Sequence, residues 1–246
     1  MVTDLREDLA SEANEILARS LVYRLLSQAF AYPTPEAVRQ LLEEDLPLAT
    51  GVSAPLPEDV RLALDECAAG LEDMTHERLE SAYRNVFSHV HSVDVPMFET
   101  DYTVRDVWRQ SRELADLGGF YRAFGMEEAD ERQDGFCIEL EFLHLVSYKA
   151  AWAIVQADRE HGEICRLAHE GFLADHVLKW IPGFAARVSV LGTGGPYGAV
   201  GRLTRSFLAT EAARFGLPIV EVVGPPEPIS LAQVAAEETA LCEADP

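Results

Sequence analysis

Apolar positions in this chain recur at three- and four-residue steps almost throughout, and the pattern predicts helices from end to end. From Thr3 as N-cap, Leu9, Ala13, Ile16, Leu17, Leu21, Leu25 and Phe30 mark a long first helix that Pro33 stops. Thr34-Pro35-Glu36 reads as N-cap, first-turn proline and first-turn acid of a short helix through Leu42. The segment Leu46 to Pro57 has loop composition, with Pro47, Gly51, Ser53 and Pro55. A third helix carries Val60, Leu64, Cys67 and Leu71, and a fourth begins at Thr75 with Leu79, Tyr83, Val86 and Phe87 on one face. A fifth runs through Leu114 and Leu117 to Gly125, with Gly118-Gly119 as a possible kink.

The sixth helix is the least ordinary. Ile138, Phe142, Leu145, Tyr148, Trp152 and Val155 form one predicted buried face, and Leu140, Leu143, Val146 and Ala150 form a second. A helix apolar on so many sides belongs in the middle of a bundle. It nevertheless keeps Glu139, Glu141 and His144, and buried carboxylates must find partners or shift their pKa. A seventh helix, with Ile164, Leu167, Gly171, Ala174 and Leu178, is expected to end at Pro182-Gly183, and Leu191 to Pro196 reads as a flexible connector. The eighth spans Tyr197 to Phe215 and closes at Gly216 and Pro218. No β-branched alternating run interrupts this series, so the class is all-α, a single bundle of about eight to ten helices over residues 1–216. Residues 217–246, rich in proline and acid, are expected to form a loosely docked or disordered tail.

Charge narrows the partners. Twenty Lys and Arg against 42 Asp and Glu leave a formal charge of −22, which excludes nucleic acid as a natural partner. Basic peptide or protein surfaces are the natural complement. No apolar run approaches the roughly 18 residues of a spanning helix, and the N-terminus shows no signal pattern, so the expectation is a cytoplasmic protein with no membrane contact. Cys67, Cys137, Cys165 and Cys242 are scattered without a Cys-x-x-Cys pair, which suits a reducing compartment and argues against structural zinc.

Chemistry is sparse. Glu141-x-x-His144 matches half of a di-iron carboxylate motif, but no second Glu-x-x-His exists, and the plainer reading is a Glu and a His bonded to neighbouring helices. His89 and His91 read as a solvated loop pair, and Gly192-x-Gly194-Gly195 lacks the strand and lysine of a phosphate loop. No catalytic residue, metal or cofactor is expected. A binding surface remains: seven carboxylates and one arginine lie between Glu127 and Glu141, near Phe98, Tyr102, Phe120, Tyr121, Phe124 and Phe136. If the loop before the fifth helix faces the start of the sixth, the two form an apolar groove with an acidic rim. Such a groove suits a peptide with paired arginines and an apolar run.

Several segments, in order, resemble a known family. Tyr83-Arg84-Asn85-Val86-Phe87, Pro96-Met97-Phe98-Glu99-Thr100-Asp101-Tyr102, Glu131-Arg132-Gln133-Asp134 followed by Ile138-Glu139-Leu140-Glu141-Phe142-Leu143, and Phe172 to Phe184 with His176 and Trp180 are similar to signatures of the TorD/DmsD/NarJ chaperones of molybdopterin enzymes. The resemblance covers about Ser11 to Phe215. Gln133 replaces a frequent Pro, and Gly135 stands where the family usually has the His of an Asp-His pair implicated in leader binding, so that pair carries over only as Asp134. The resemblance implies a TorD-like fold and a non-enzymatic chaperone, monomeric or homodimeric. Its client is an apo molybdoenzyme catalytic subunit, bound through its twin-arginine leader or N-terminal region until cofactor insertion. Weak nucleotide binding is associated with the family. The implied peptide-binding residues are Glu99, Asp101, Tyr102, Asp134, Glu139 and Glu141. The competing readings are a metal-dependent helical enzyme using Glu141 and His144, and a permanent accessory subunit of an oxidoreductase complex.

Overall fold

A computed structural model describes residues 2–87, 95–103, 107–126 and 132–220. The His89 and His91 pair, the acidic residues 127–131, Cys242 and most of the expected tail (221–246) lie outside the described residues. Among the described residues there is no strand, only one isolated antiparallel bridge between Phe98 and Gly135.

The long first helix, α1 (Val2–Phe30), starts before Thr3, which lies inside it. Its face of Ala18, Val22, Tyr23, Leu25, Leu26 and Phe30 is fully shielded. It packs antiparallel along α8 (Phe136–Val155), the helix predicted to be central. Two serines seven residues apart tie the pair together: Ser20 Oγ donates to the His144 carbonyl (2.9 Å) and Ser27 Oγ to the Cys137 carbonyl (2.9 Å). Small hydroxyls at that spacing let two helices approach closely while adding second hydrogen bonds to carbonyls in the first half of α8.

Thr34 caps α2 (Pro35–Gln40) as expected, its Oγ1 accepting from the Ala37 amide. The chain then departs from the predicted loop. A π-turn (Leu41–Asp45) leads directly into α3 (Leu46–Gly51), with Pro47 in the first turn of that helix, where its missing N–H costs nothing. The buried Asp45 of this turn receives Arg24 of α1 at 2.5 Å. Tertiary pairing therefore holds helical a stretch whose composition reads as coil. α4 (Glu58–Leu71) and α5 (His76–Phe87) follow the predicted faces.

The one-turn α6 (Thr100–Thr103) precedes α7 (Val107–Ala123), which runs through Gly118-Gly119 without a break; Gly125 ends the segment at φ +71°. α9 (Arg159–Phe172) passes through a second π-turn (Leu173–Val177) into α10 (Leu178–Leu191). Pro182, the expected stop, lies inside α10, just beyond the π-turn where the hydrogen-bond ladder has already shifted register. α11 (Pro196–Phe215) ends on Gly216 in the left-handed region (φ +64°).

The glycine-rich turn is not a flexible connector. α10 and α11 pack so closely that a Cβ on Gly198 would sit 2.5 Å from the Gly192 carbonyl oxygen, and one on Gly201 would sit 2.8 Å from the Ser189 nitrogen. Glycine is required here for backbone contact.

The sixth predicted helix also needs correcting. Leu140, Leu143, Val146 and Phe142 are buried, but Tyr148, Trp152 and Val155 are 48, 58 and 64% exposed. Glu141, Tyr148, Trp152 and Val155 form one stripe at spacings of seven, four and three, and that stripe faces solvent. On α9 the buried side is Cys165, His169 and Phe172, while Ile164 and Leu167 are exposed.

Candidate functional site

The condition set for a groove is met: the loop before the fifth predicted helix faces the start of the sixth. The Glu99 amide donates to the Asp134 carbonyl (2.9 Å) and the Phe136 amide to the Met97 carbonyl (3.0 Å), which seats the loop before α6 against the turn that starts α8. Gly135 is the N-cap of α8 and has no side chain to cap it.

Asp134 fastens this junction. Its Oδ2 accepts from the Thr100 amide (3.2 Å), the Thr100 hydroxyl (2.6 Å) and Arg132 Nη2 (2.7 Å), and its Oδ1 accepts from Arg132 Nε (3.0 Å). Asp134 therefore caps α6 across the chain while Arg132 offsets its charge. The guanidinium also lies over the Phe98 ring, 3.9 Å from its centroid.

Two more buried carboxylates stand behind it. Glu99 Oε2 accepts from His176 Nδ1 (3.0 Å), and the other ring nitrogen of His176 lies 3.3 Å from Asp116. Glu139 Oε2 accepts from the indole of Trp180 (3.0 Å). Burial raises the pKa of Glu99, against the pull of His176. Burial raises Glu139 further, well above the usual carboxylate range, helped by the charge of Glu99, while Trp180 opposes the shift. Glu139 is thus held toward its neutral acid form in the floor of the junction.

Tyr102 completes it, donating to the Pro96 carbonyl (2.9 Å) with its ring against Trp180. Of the six aromatic residues expected to line a groove, Tyr102, Tyr121 and Phe136 are core, and Phe98, Phe120 and Phe124 are half-buried. Phe136 and Tyr121 are almost fully shielded, and the Tyr121 hydroxyl donates to the Gln133 carbonyl (2.8 Å), holding the turn before Asp134.

Five of the six predicted site residues, Glu99, Asp101, Tyr102, Asp134 and Glu139, therefore lie in or beside one junction. Glu99, Asp134 and Glu139 are fully buried, Asp101 is half-buried, and Glu141 is exposed on the solvent stripe of α8. Glu141 and His144 do not form a metal half-site. The His144 ring turns away to α1, its Nδ1 2.9 Å from the Ser20 carbonyl oxygen. Among the described residues, the His and carboxylate atoms close enough to share an ion belong instead to Glu99, Glu113 and His176.

His176, Trp180 and Arg132 were not among the residues assigned to the site. The first two sit four apart on the π-turn and the start of α10, a spacing visible in the sequence but silent about which carboxylates they meet. A second buried network also escaped notice. Glu211 of α11 accepts from Arg19 Nε (2.6 Å), Arg19 Nη2 (2.5 Å) and the Tyr23 hydroxyl (2.8 Å). Burial alone would raise the Glu211 pKa, but the Arg19 charge and hydrogen bonds carry it below the usual value. Its signal was a lone acid in the apolar stripe Val200, Leu203, Phe207.

No helix among the described residues is long and apolar enough to cross a membrane. A search of the curated proteins returned no match. The family model described as nitrate reductase delta subunit matches residues 53–186, from just before α4 into α10, and takes in every part of the junction. With more than half of its length matched, this chain belongs to the nitrate reductase delta subunit family, the NarJ/TorD-type chaperones of molybdoenzyme maturation.

Proposed function

We propose that this protein binds the twin-arginine leader or N-terminal region of an apo molybdoenzyme catalytic subunit in the cytoplasm and holds it until the cofactor is inserted. The observation that carries this reading is the junction of residues 95–103 with residues 132–139, where the family's segments meet and acidic groups gather. Buried Glu99, Asp134, Tyr102 and Glu139 set the shape of the wall. Glu141, exposed on α8, offers its carboxylate to the peptide, and Asp101 is half-buried beside the wall. A guanidinium offers a planar fork that grips a carboxylate through two hydrogen bonds, which an ammonium cannot do. The chain's charge of −22 draws a basic segment in and speeds encounter.

Calorimetric titration with a synthetic twin-arginine leader tests this. Binding is expected, and replacing both arginines by lysine is expected to weaken it several-fold. Absence of heat, or equal affinity for the two peptides, defeats the leader-binding reading.

A further inference from the structure

A cavity of about 530 Å³ opens between α1, α8 and α9, away from the junction just described; none of the six predicted peptide-binding residues lines it. Its walls are Leu9, Ile16, Ala150, Ile154 and Phe215. Its size falls within the range of small-molecule sites, which are mostly apolar with a few convergent polar groups.

Those polar groups are here, and they lack partners. His169 is buried, yet neither ring nitrogen makes a hydrogen bond; its Nε2 stands 3.6 Å from Glu211. Ser147 Oγ, also buried, has no hydrogen-bond partner either. Both residues line the cavity. Buried polar atoms are nearly always satisfied, so two orphaned polar side chains on residues that line one cavity mark a place for a ligand's polar end. Burial pushes the His169 pKa down to about 4, so the ring is neutral and offers one donor and one acceptor. The third polar group of the floor, Arg19, is already neutralised by Glu211. At the mouth, Arg166 is engaged by Glu163 and Glu170, and Asp158 by His161. Glu12 and Arg159 add one charge of each sign. At Ser147 and His169 themselves no unpaired charge rewards an ionic head.

We propose that the cavity binds a small amphipathic molecule with an apolar body and an uncharged hydrogen-bonding head, such as an alcohol or amide, which Ser147 and His169 receive. The site is independent of the leader-peptide reading.

The test uses the full chain and N-phenyl-1-naphthylamine, a neutral dye whose fluorescence rises on burial, displaced by 1-decanol, decanoate or decylammonium. Saturable dye binding is expected, with decanol displacing it roughly tenfold better than either charged chain, because no unpaired counter-charge stands beside Ser147 and His169. Ala150→Trp fills the cavity and is expected to abolish binding with the thermal midpoint retained. His169→Phe keeps the ring's bulk and removes its polar atoms, so decanol should lose most of its advantage while the dye still binds. The second variant decides the matter if the first does not fold. Trp152→Ala, on the exposed face of α8, should change nothing. The proposal is overturned by non-saturable dye uptake, by equal displacement with all three chains, by an unaltered decanol preference in His169→Phe, by loss of binding in Trp152→Ala, or by displacement of the dye with a twin-arginine leader.

Discussion

Two buried carboxylates in this bundle solve the same problem in opposite ways. Glu211 keeps its charge because Arg19 meets it with two hydrogen bonds and Tyr23 adds a third. Glu139 has no cation, only the indole of Trp180, and is pushed toward the neutral acid. The difference teaches what each location requires. The first network joins α1 to α11 across 192 residues of sequence and acts as a charged clamp. The second lies beneath the junction of the two family segments, close to Glu99 and Asp134, where a third full negative charge would be poorly tolerated.

The sharpest way to break the comparison is to remove the cation. Arg19→Ala leaves Glu211 buried and unpaired, and a loss of about 3–5 kcal/mol of stability is expected in urea unfolding. The double replacement Arg19→Met with Glu211→Leu should recover most of it, since burying an ion pair gains little over well-packed apolar residues. At the junction, Trp180→Phe removes the indole donor and leaves a small cavity where the second ring stood, and a smaller loss of about 1–3 kcal/mol is expected.

The two acids should also give opposite pH dependences. Glu211 has a folded pKa below its unfolded value, so its contribution is present above the unfolded pKa and is lost as pH falls through the folded one. Glu139 has a folded pKa above its unfolded value; the folded state then binds the extra proton, and stability declines as pH rises from the unfolded carboxylate range toward the folded pKa. Urea midpoints measured against pH should show both limbs. Glu139→Gln is expected to flatten the upper limb: below the unfolded carboxylate range it should change stability by no more than about 1 kcal/mol, because an amide resembles the neutral acid it replaces, and toward neutral pH it should gain on the native chain. An unchanged upper limb would show that Glu139 is not the group responsible.

The smallest expected effect concerns Gly135. Its backbone, at φ −80° and ψ 141°, suits any residue, and an added Cβ would lie 3.3 Å from the Arg132 carbonyl oxygen. Gly135→His should therefore fold with a stability change within about 1 kcal/mol, the stiffer unfolded chain offsetting a tight contact. Titration with a twin-arginine leader then asks whether a His beside the aspartate strengthens binding. A gain supports the proposed wall, whereas unchanged affinity removes position 135 from it.

Much of the architecture was legible along the chain. Thr34, Gly125 and Gly216 marked their boundaries because caps and left-handed stops depend on local backbone chemistry. The meeting of residues 95–103 with residues 132–139 was only a condition in the sequence, and the structure supplies it. Pro47 and Pro182 misled, since a proline signals a break only when the surrounding packing does not hold the helix. The apolar positions of α8 were equally ambiguous. Phe142 and Trp152 look alike in a hydrophobicity pattern, yet one is sealed and the other is 58% exposed.

The sequence by itself determined an all-helical bundle, the position of most helices, the central place of α8 and the segments that carry the family likeness. The helical properties follow from periodicity, capping and composition, which act over a few residues, and the likeness rests on the ordered motifs themselves. Only the tertiary structure decided which side of α8 meets solvent, that Glu99, Asp134 and Glu139 are buried, and that Glu211 pairs with Arg19 whereas Glu139 has only Trp180. The energy of a carboxylate depends on the dielectric and the partners around it, and in a bundle those partners arrive from helices far away in sequence.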